Sequence, residues 1–165
     1  GNLDCSIFYG DSATWDKYIT DGVSTENSDN KIDLGGEWVL DEVGWWWKNP
    51  DGSYPKKCWG LIKNDYYYFN DKGYAVSNTW LDYNGNWYYL KNDCRMAKGW
   101  LKLGGIYYYF NENINVFPVG AMVYNLFVNW KGKRYYLKDN GYMAQNETLK
   151  ICNREYKFNS SGEVV

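Results

Sequence analysis

The sequence predicts an all-β fold built from consecutive β-hairpins, a β-hairpin solenoid with repeats of about 20 residues. Three observations predict it. Aromatic triplets recur at a nearly constant spacing, a second aromatic column precedes them, and Gly or Asn marks a turn between the two. The 165 residues include 18 Tyr and 10 Trp. Mean hydropathy is nevertheless −0.66, so a polar chain carries an aromatic skeleton.

Three columns of residues define the repeat. The clusters start at intervals of 20, 21, 20, 27 and 21 residues, at Trp46, Tyr66, Trp87, Tyr107, Arg134 and Glu155. The second column lies seven residues ahead of each cluster, or eight in the first repeat: Trp38, Trp59, Trp80, Trp100, Phe127 and Thr148. The third lies nine residues after the start: Ala75, Met96, Met122, Met143 and Val164. Met122 is displaced by six residues in "NENINVFPVGAM", which predicts one longer loop without loss of register.

Each repeat is predicted to be one hairpin. In "WLDYNGNWYYL" the pair Asn84-Gly85 favours a two-residue type I′ turn, which pairs Trp80 with Tyr89 and Leu81 with Tyr88. The residue two before each later cluster tolerates positive φ in every case: Asn64, Gly85, Gly105, Gly132 and Asn153.

The two faces of a hairpin are predicted to have different roles, because alternate residues of a strand point to opposite sides. The faces of the third hairpin are Trp80, Trp87 and Tyr89 on one side and Leu81, Tyr83, Tyr88 and Leu90 on the other. The second face stays apolar or aromatic in all five later repeats, as a packed interior requires. The first decays to Thr148, Glu155 and Lys157, which also fits a polar terminal cap. We therefore expect the middle aromatic of each triplet in the core and the first face as a binding surface between hairpins.

Several function classes are disfavoured by composition. A net charge of −2 and a pI near 5.2 argue against nucleic-acid binding. There is no run of about 18 apolar residues and no His, so we expect neither a membrane span nor a catalytic triad. No enzyme activity, cofactor or metal is expected. The cysteines are too widely spaced for a typical zinc site, and their pairing stays open: Cys5, Cys58, Cys94 and Cys152.

The chain divides by pattern into two parts. Residues 1–35 do not fit the period and are interpreted as a cap or as the tail of a larger domain. Residues 36–165 form the repeat array. Gly1 is typical of a cleaved tag, so a natural leader would already have been removed.

The stretches "GWLKLGGIYYYF" and "TWLDYNGNWYYLKNDCRMAKGW" resemble the choline-binding, or cell-wall-binding, repeat family. The segment "GWWWKNPDGSYPKKCWGLIKNDYYYFNDKGYA" is similar to the entry into such modules in Gram-positive autolysins and phage lysins. This resemblance implies a left-handed solenoid and a non-catalytic, extracellular module associated with the cell wall. It also implies ligand cages made of two aromatics from one hairpin, one from the next, and often a Met.

On that basis the candidate cage residues are Trp38, Trp46, Trp59, Tyr66, Trp80, Trp87, Trp100 and Tyr107. Those that close the cages are Met96, Met122, Tyr68, Tyr89 and Tyr109. Arg134 and Glu155 replace the leading aromatic with a charge, so the resemblance does not extend its cages to the last repeats.

Three interpretations of the aromatic surface remain open. Cation–π attraction favours choline on a teichoic-acid-type polymer. "YYYFN" also resembles repeats of glucan-binding glucosyltransferases and clostridial toxins, which implies a polysaccharide, with Asp82, Lys102 and Lys131 to bind hydroxyls. Alternatively, the rings only stack hairpins.

Overall fold

The computed structural model describes residues 35–165, which form twelve strands paired into six antiparallel hairpins. The prediction of an all-β chain of hairpins is confirmed. The strands are β1 (Glu37–Leu40), β2 (Trp45–Lys48), β3 (Cys58–Ile62), β4 (Asp65–Phe69), β5 (Thr79–Tyr83), β6 (Asn86–Leu90), β7 (Gly99–Leu103), β8 (Ile106–Phe110), β9 (Leu126–Trp130), β10 (Lys133–Leu137), β11 (Glu147–Ile151) and β12 (Arg154–Phe158).

The described residues fall into two compact units, 35–97 and 98–165, with three hairpins in each. Residues 1–34 lie outside the described part. The N-terminal cap or tail and Cys5 therefore remain sequence predictions. Within the described part, Cys58 and Cys94 are free and Cys152 is disulfide-bonded.

The predicted strand register is confirmed. Trp80 pairs with Tyr89 and Leu81 with Tyr88, across a turn in which Asn84 and Gly85 have φ of 50° and 81°. Positive φ at both central residues is the signature of a type I′ turn. The same pair of positive φ values recurs at Lys63-Asn64, Gly104-Gly105, Lys131-Gly132 and Cys152-Asn153.

Within each unit, successive hairpins are joined by a recurring backbone hydrogen bond. The N–H of a third-column residue donates to the carbonyl of the residue that heads the previous cluster, with N···O of 2.8–3.0 Å. The pairs are Ala75 to Trp45, Met96 to Tyr66, Met143 to Tyr107 and Val164 to Arg134. The bridge between Phe110 and Met122 shows that the insertion left the third column in register.

This bond corrects the start of the first repeat. Trp45, and not Trp46, accepts the bond from Ala75 and pairs with Leu40, two positions past the Trp38–Trp47 pair. The spacing from Trp38 is thus seven residues, as in every other repeat. A shift of one residue moves a side chain to the opposite face of a strand, so Trp46 lies on the face away from Trp38.

In the five later hairpins the second face is buried or partly buried, as predicted, with one exception. The fully buried residues include Tyr88, Leu90, Phe69, Phe110 and Leu137. Trp130 also belongs to the second face, but 42% of it is exposed. That position opens onto a cavity.

The six-residue insertion is organised by Asn111, whose side chain is fully buried. Its Nδ2 donates to the carbonyls of Ile114, Phe117 and Pro118 at 2.7–3.2 Å, and its Oδ1 accepts from the N–H of Ile114 at 2.7 Å. These bonds close the longer loop on itself. The repeats on either side of the insertion therefore keep their spacing.

Candidate ligand-binding cages

An aromatic cavity lies between the fourth hairpin (β7–β8) and the fifth (β9–β10), and we call it the large cage. Its volume is about 510 Å³. It is lined by Trp100, Lys102, Gly105, Tyr107, Trp130, Tyr135, Met143, Gln145, Ser160 and Ser161.

The rings of the large cage surround its opening from two hairpins. The ring centroid of Trp100 lies 5.2 Å from that of Tyr135 and 6.4 Å from that of Trp130, with interplanar angles of 64° and 69°. Tyr107 and Trp130 remain 39% and 42% exposed. Trp100 and Tyr107 come from the first face of one hairpin, and Tyr135 and Trp130 from the second face of the next. The cage thus depends on the alternation of side chains between the two faces of each strand and on the stacking of one hairpin on the next.

Two ammonium groups of the chain already lie on rings of the large cage. The Nζ atom of Lys102 is 5.3 Å from the ring centroid of Tyr107, and that of Lys131 is 4.5 Å from the ring of Trp130. Both distances fall within the range of cation–π attraction. These two aromatic faces are therefore accessible to a cationic group.

A second cavity, which we call the small cage, occupies the equivalent place between the first and second hairpins. Its volume is about 230 Å³, and it is lined by Trp38, Trp45, Tyr67, Asp93, Cys94 and Arg95. The centroid of Trp38 lies 4.8 Å from that of Tyr67 and 6.5 Å from that of Trp45.

The rim of the small cage carries charge. Arg95 forms ion pairs with Asp65 and Asp93, with N···O distances of 3.5 and 3.6 Å. Burial raises the pKa of Tyr67, and a side-chain hydrogen bond with Arg95 partly opposes the shift in its pKa. The guanidinium at this rim is therefore flanked by two carboxylates.

The same position between the second and third hairpins is filled by rings, and we call it the closed cluster. Trp59, Tyr66 and Tyr88 are all buried, and the centroids of Trp59 and Tyr88 are 5.3 Å apart. The indole Nε1 of Trp59 and the hydroxyl oxygens of Tyr66 and Tyr88 have no hydrogen-bond partner among the described residues. Burial raises the pKa of Tyr66 to about 12 and also raises the pKa of Tyr88.

The third hairpin presents an open aromatic pair. The centroids of Trp80 and Trp87 are 6.4 Å apart, and Trp87 is 45% exposed. Trp80 also packs edge-on against Tyr89, with centroids 5.4 Å apart.

The structure thus separates the sequence-predicted site residues into groups. Those that line a described cage are Trp38, Trp100 and Tyr107. Those that pack beneath the leading Trp of their own hairpin are Tyr68, Tyr89 and Tyr109. Met96 and Met122 are buried third-column residues.

Trp46 lies elsewhere, in a shallow pocket of about 210 Å³ on the other face of the first hairpin, with Asp41, Tyr54, Lys72 and Tyr74. Sequence reasoning missed the cage residues Trp45, Tyr67, Trp130, Tyr135 and Met143. For Tyr67 and Tyr135 the available signal was their place as the middle aromatic of a cluster, because that residue serves both the core and the cage of the preceding hairpin.

Other site classes find no support in the described residues. Residues 35–165 contain no group of three or more His, Cys, Asp or Glu side chains placed to hold a metal ion. No helix in this part of the chain has the length and hydrophobicity needed to cross a bilayer.

The fold and these cavities define a class of protein, a hairpin repeat array that offers aromatic cages between neighbouring hairpins. Comparison with known families identifies the repeats. Residues 77–127 match the family model described as choline-binding repeat, and residues 127–143 match that of a putative cell wall binding repeat. The resemblance drawn from the sequence is confirmed: the chain carries choline-binding, cell-wall-binding repeats.

Solved structures support the same assignment. A multimodular pneumococcal cell wall endolysin from phage Cp-1, complexed with choline, is 37% identical to this chain and has a TM-score of 0.55. The match covers 79% of this chain and 37% of the endolysin chain. The modular Cpl-1 endolysin complexed with a peptidoglycan analogue is 37% identical over 83% of this chain and 39% of its own, with a TM-score of 0.56.

A third solved structure is choline binding protein F from Streptococcus pneumoniae. It is 28% identical, covers 78% of this chain and 41% of its own, and has a TM-score of 0.63. The chain thus spans about two fifths of the length of each of these relatives. The comparison with curated protein sequences returned no match.

Proposed function

We propose that this chain is a non-catalytic module that binds choline, or a similar quaternary ammonium group, displayed on a cell-wall polymer. The observation that carries the proposal is the large cage. There, aromatic rings from two hairpins face one cavity of about 510 Å³ with room for a small organic cation. A cell-wall-associated, extracellular location follows from this function.

The chemistry of the cage suits a quaternary ammonium group. Such a group has no N–H to donate, so it is held by aromatic faces through cation–π attraction and by contacts of its methyl groups. Each face contributes about 0.5–2 kcal/mol. Three faces such as Trp100, Tyr107 and Tyr135 give about 2–5 kcal/mol, which corresponds to a dissociation constant on the order of millimolar.

Weak single sites are sufficient for a polymeric ligand. A wall polymer that carries many choline groups engages the second cage at a high effective concentration, which raises overall affinity by about 10²–10⁴-fold. The small cage and the Trp80–Trp87 pair are the further binding positions that this proposal assigns. The closed cluster needs a movement of its rings before it can bind.

The test is a titration followed by the indole N–H resonances of Trp100 and Trp130 in ¹⁵N-labelled protein. With 10 Trp in the chain, total fluorescence cannot report a single cage. Choline and tetramethylammonium should shift both resonances saturably. The neutral isostere 3,3-dimethylbutanol should cause a much smaller shift, since it lacks the charge. Equal responses to the isostere and to choline would contradict cation recognition.

A second candidate function is glycan binding at the pocket around Trp46. Trp46 and Tyr54 pack edge-on with centroids 5.7 Å apart, and Asp41 and Lys72 lie beside them. A pyranose ring stacks on an aromatic face and uses such polar groups for its hydroxyls. The Asp41 carboxylate accepts a hydrogen bond from the Tyr74 hydroxyl at 2.7 Å, which holds it in place.

The glycan candidate predicts that peptidoglycan fragments shift the indole resonance of Trp46 and that Trp46→Ala removes this binding. The same variant should leave choline binding at Trp100 unchanged. Fragment binding that survives Trp46→Ala would exclude this pocket as the glycan site.

A further inference from the structure

The fifth and sixth hairpins form a position equivalent to the large cage. In the large cage the leading residue of the cluster is Tyr107, whose carbonyl accepts the bond from Met143. One repeat later, Arg134 heads the cluster and accepts the corresponding bond from Val164. The two positions are therefore related by one repeat.

The other rings of this position follow from the same register. Phe127 pairs with Tyr136 in the way that Trp100 pairs with Tyr109, so Phe127 takes the place of Trp100. Tyr156 is the middle residue of the sixth cluster and takes the place of Tyr135. The equivalent of the cage is thus formed by Phe127, Arg134 and Tyr156.

The guanidinium of Arg134 lies among these rings. Its Cζ atom is 4.1 Å from the ring centroid of Phe127 and 5.3 Å from that of Tyr156, and the two ring centroids are 4.8 Å apart. Both aromatic residues are buried, with exposures of 1% and 8%. A planar, weakly hydrated guanidinium is well suited to such stacking.

We infer that Arg134 is a built-in cation that occupies the cage between the fifth and sixth hairpins and prevents it from binding choline. The inference rests on the proposed function, because it assumes that neighbouring cages take quaternary ammonium groups. It makes Arg134 a specificity-determining residue. It also gives the C-terminal hairpins a cage that is filled at all ligand concentrations.

Chemistry explains why an arginine is effective in this role. An arginine side chain carries its positive charge on a planar, delocalised group that can stack on aromatic faces. As part of the same chain it competes at an effective concentration of about millimolar or above, comparable to the affinity of a single cage. A free cation would also have to displace a group that already contacts two rings.

The first experiment compares the wild-type protein with Arg134→Tyr, which places at this position the residue type that Tyr107 provides in the large cage. In the wild type, choline should shift the Trp100 indole resonance and leave the ring resonances of Phe127 and Tyr156 unchanged. In Arg134→Tyr, these two rings should also shift saturably, and calorimetry should show one additional site per chain. The matched control is Arg154→Tyr, an exposed arginine of the same unit, which should add no site.

A response of Phe127 and Tyr156 to choline in the wild type, with the midpoint seen at Trp100, would overturn the inference. So would an unchanged number of sites in a folded Arg134→Tyr protein.

A second experiment needs no ligand binding. Arg134→Met keeps an unbranched side chain but removes the charge, so it should lower the urea midpoint of unfolding more than Arg154→Met does. Equal midpoints would refute the built-in cation. If choline fails to shift Trp100 in the wild type, the proposed function fails, while this comparison of midpoints still decides the role of Arg134.

Discussion

The sharpest prediction concerns Tyr107→Ala in the large cage. Tyr107 is 39% exposed, so its truncation removes a cage wall with a small effect on folding. The loss of one cation–π face should cost about 0.5–2 kcal/mol, a factor of about 2–30 in the dissociation constant. The upper part of that range is expected, because the Lys102 ammonium now 5.3 Å from the ring loses its partner and stays near the ligand.

The assay is a choline titration read at the indole N–H of Trp100, in the wild type and the variant. Tyr54→Ala is the matched control, since Tyr54 is 45% exposed and lies outside the cages. It should leave the Trp100 titration unchanged. An unaltered titration midpoint in Tyr107→Ala, in a variant whose NMR spectrum shows that it is folded, would refute the assignment of Tyr107 to the site.

Three further predictions test the register, the insertion and the buried tyrosines. Trp45→Ala should weaken choline binding at the small cage by about 2–30-fold, while Trp46→Ala, one residue away, should leave it intact; the Trp38 indole resonance reports both. Asn111→Ala should lower the free energy of unfolding by about 2–4 kcal/mol, because it leaves buried backbone groups without hydrogen-bond partners. Urea denaturation measures this free energy, and a loss below about 1 kcal/mol would contradict the role given to Asn111. Burial raises the pKa of Tyr66 and Tyr109 to about 12. In the unfolded chain a Tyr has a pKa of about 10 and ionises at a lower pH than these two tyrosines do in the folded protein. The stability that the two buried tyrosines contribute should therefore be fully present below about pH 10 and be lost as the pH rises towards about 12. Urea midpoints against pH test this, with tyrosinate absorbance of the folded protein as a check on the pKa values; ionisation of all tyrosines near pH 10 would contradict it.

Most of the fold was predictable because it depends on local rules. The Asn84-Gly85 turn fixes the pairing of Trp80 with Tyr89, and alternation along the strands then assigns both faces. Six inserted residues did not disturb this reasoning, because Asn111 closes the loop on itself.

The cages were less predictable, because each is made by two hairpins. Sequence periodicity gives the residues of one face but not how far the next hairpin is displaced along the stack. Tyr135 and Trp130 therefore looked like interior residues, and only their packing against Trp100 shows their second role. In the first hairpin, three consecutive Trp residues left the start of the cluster ambiguous, and the backbone bond from Ala75 to Trp45 resolves it.

The bond that joins successive hairpins uses backbone atoms alone, and this has an evolutionary consequence. The same N–H···O=C contact is made whether the accepting residue is a Trp, a Tyr or an Arg, as at Trp45, Tyr66, Tyr107 and Arg134. The backbone contact that stacks the repeats therefore does not depend on which side chain stands at the position that lines a proposed cage. Mutation can retune one cage without affecting how its neighbours assemble. Under the proposed function, a single substitution can therefore change the number of working cages while the backbone contacts between hairpins are kept.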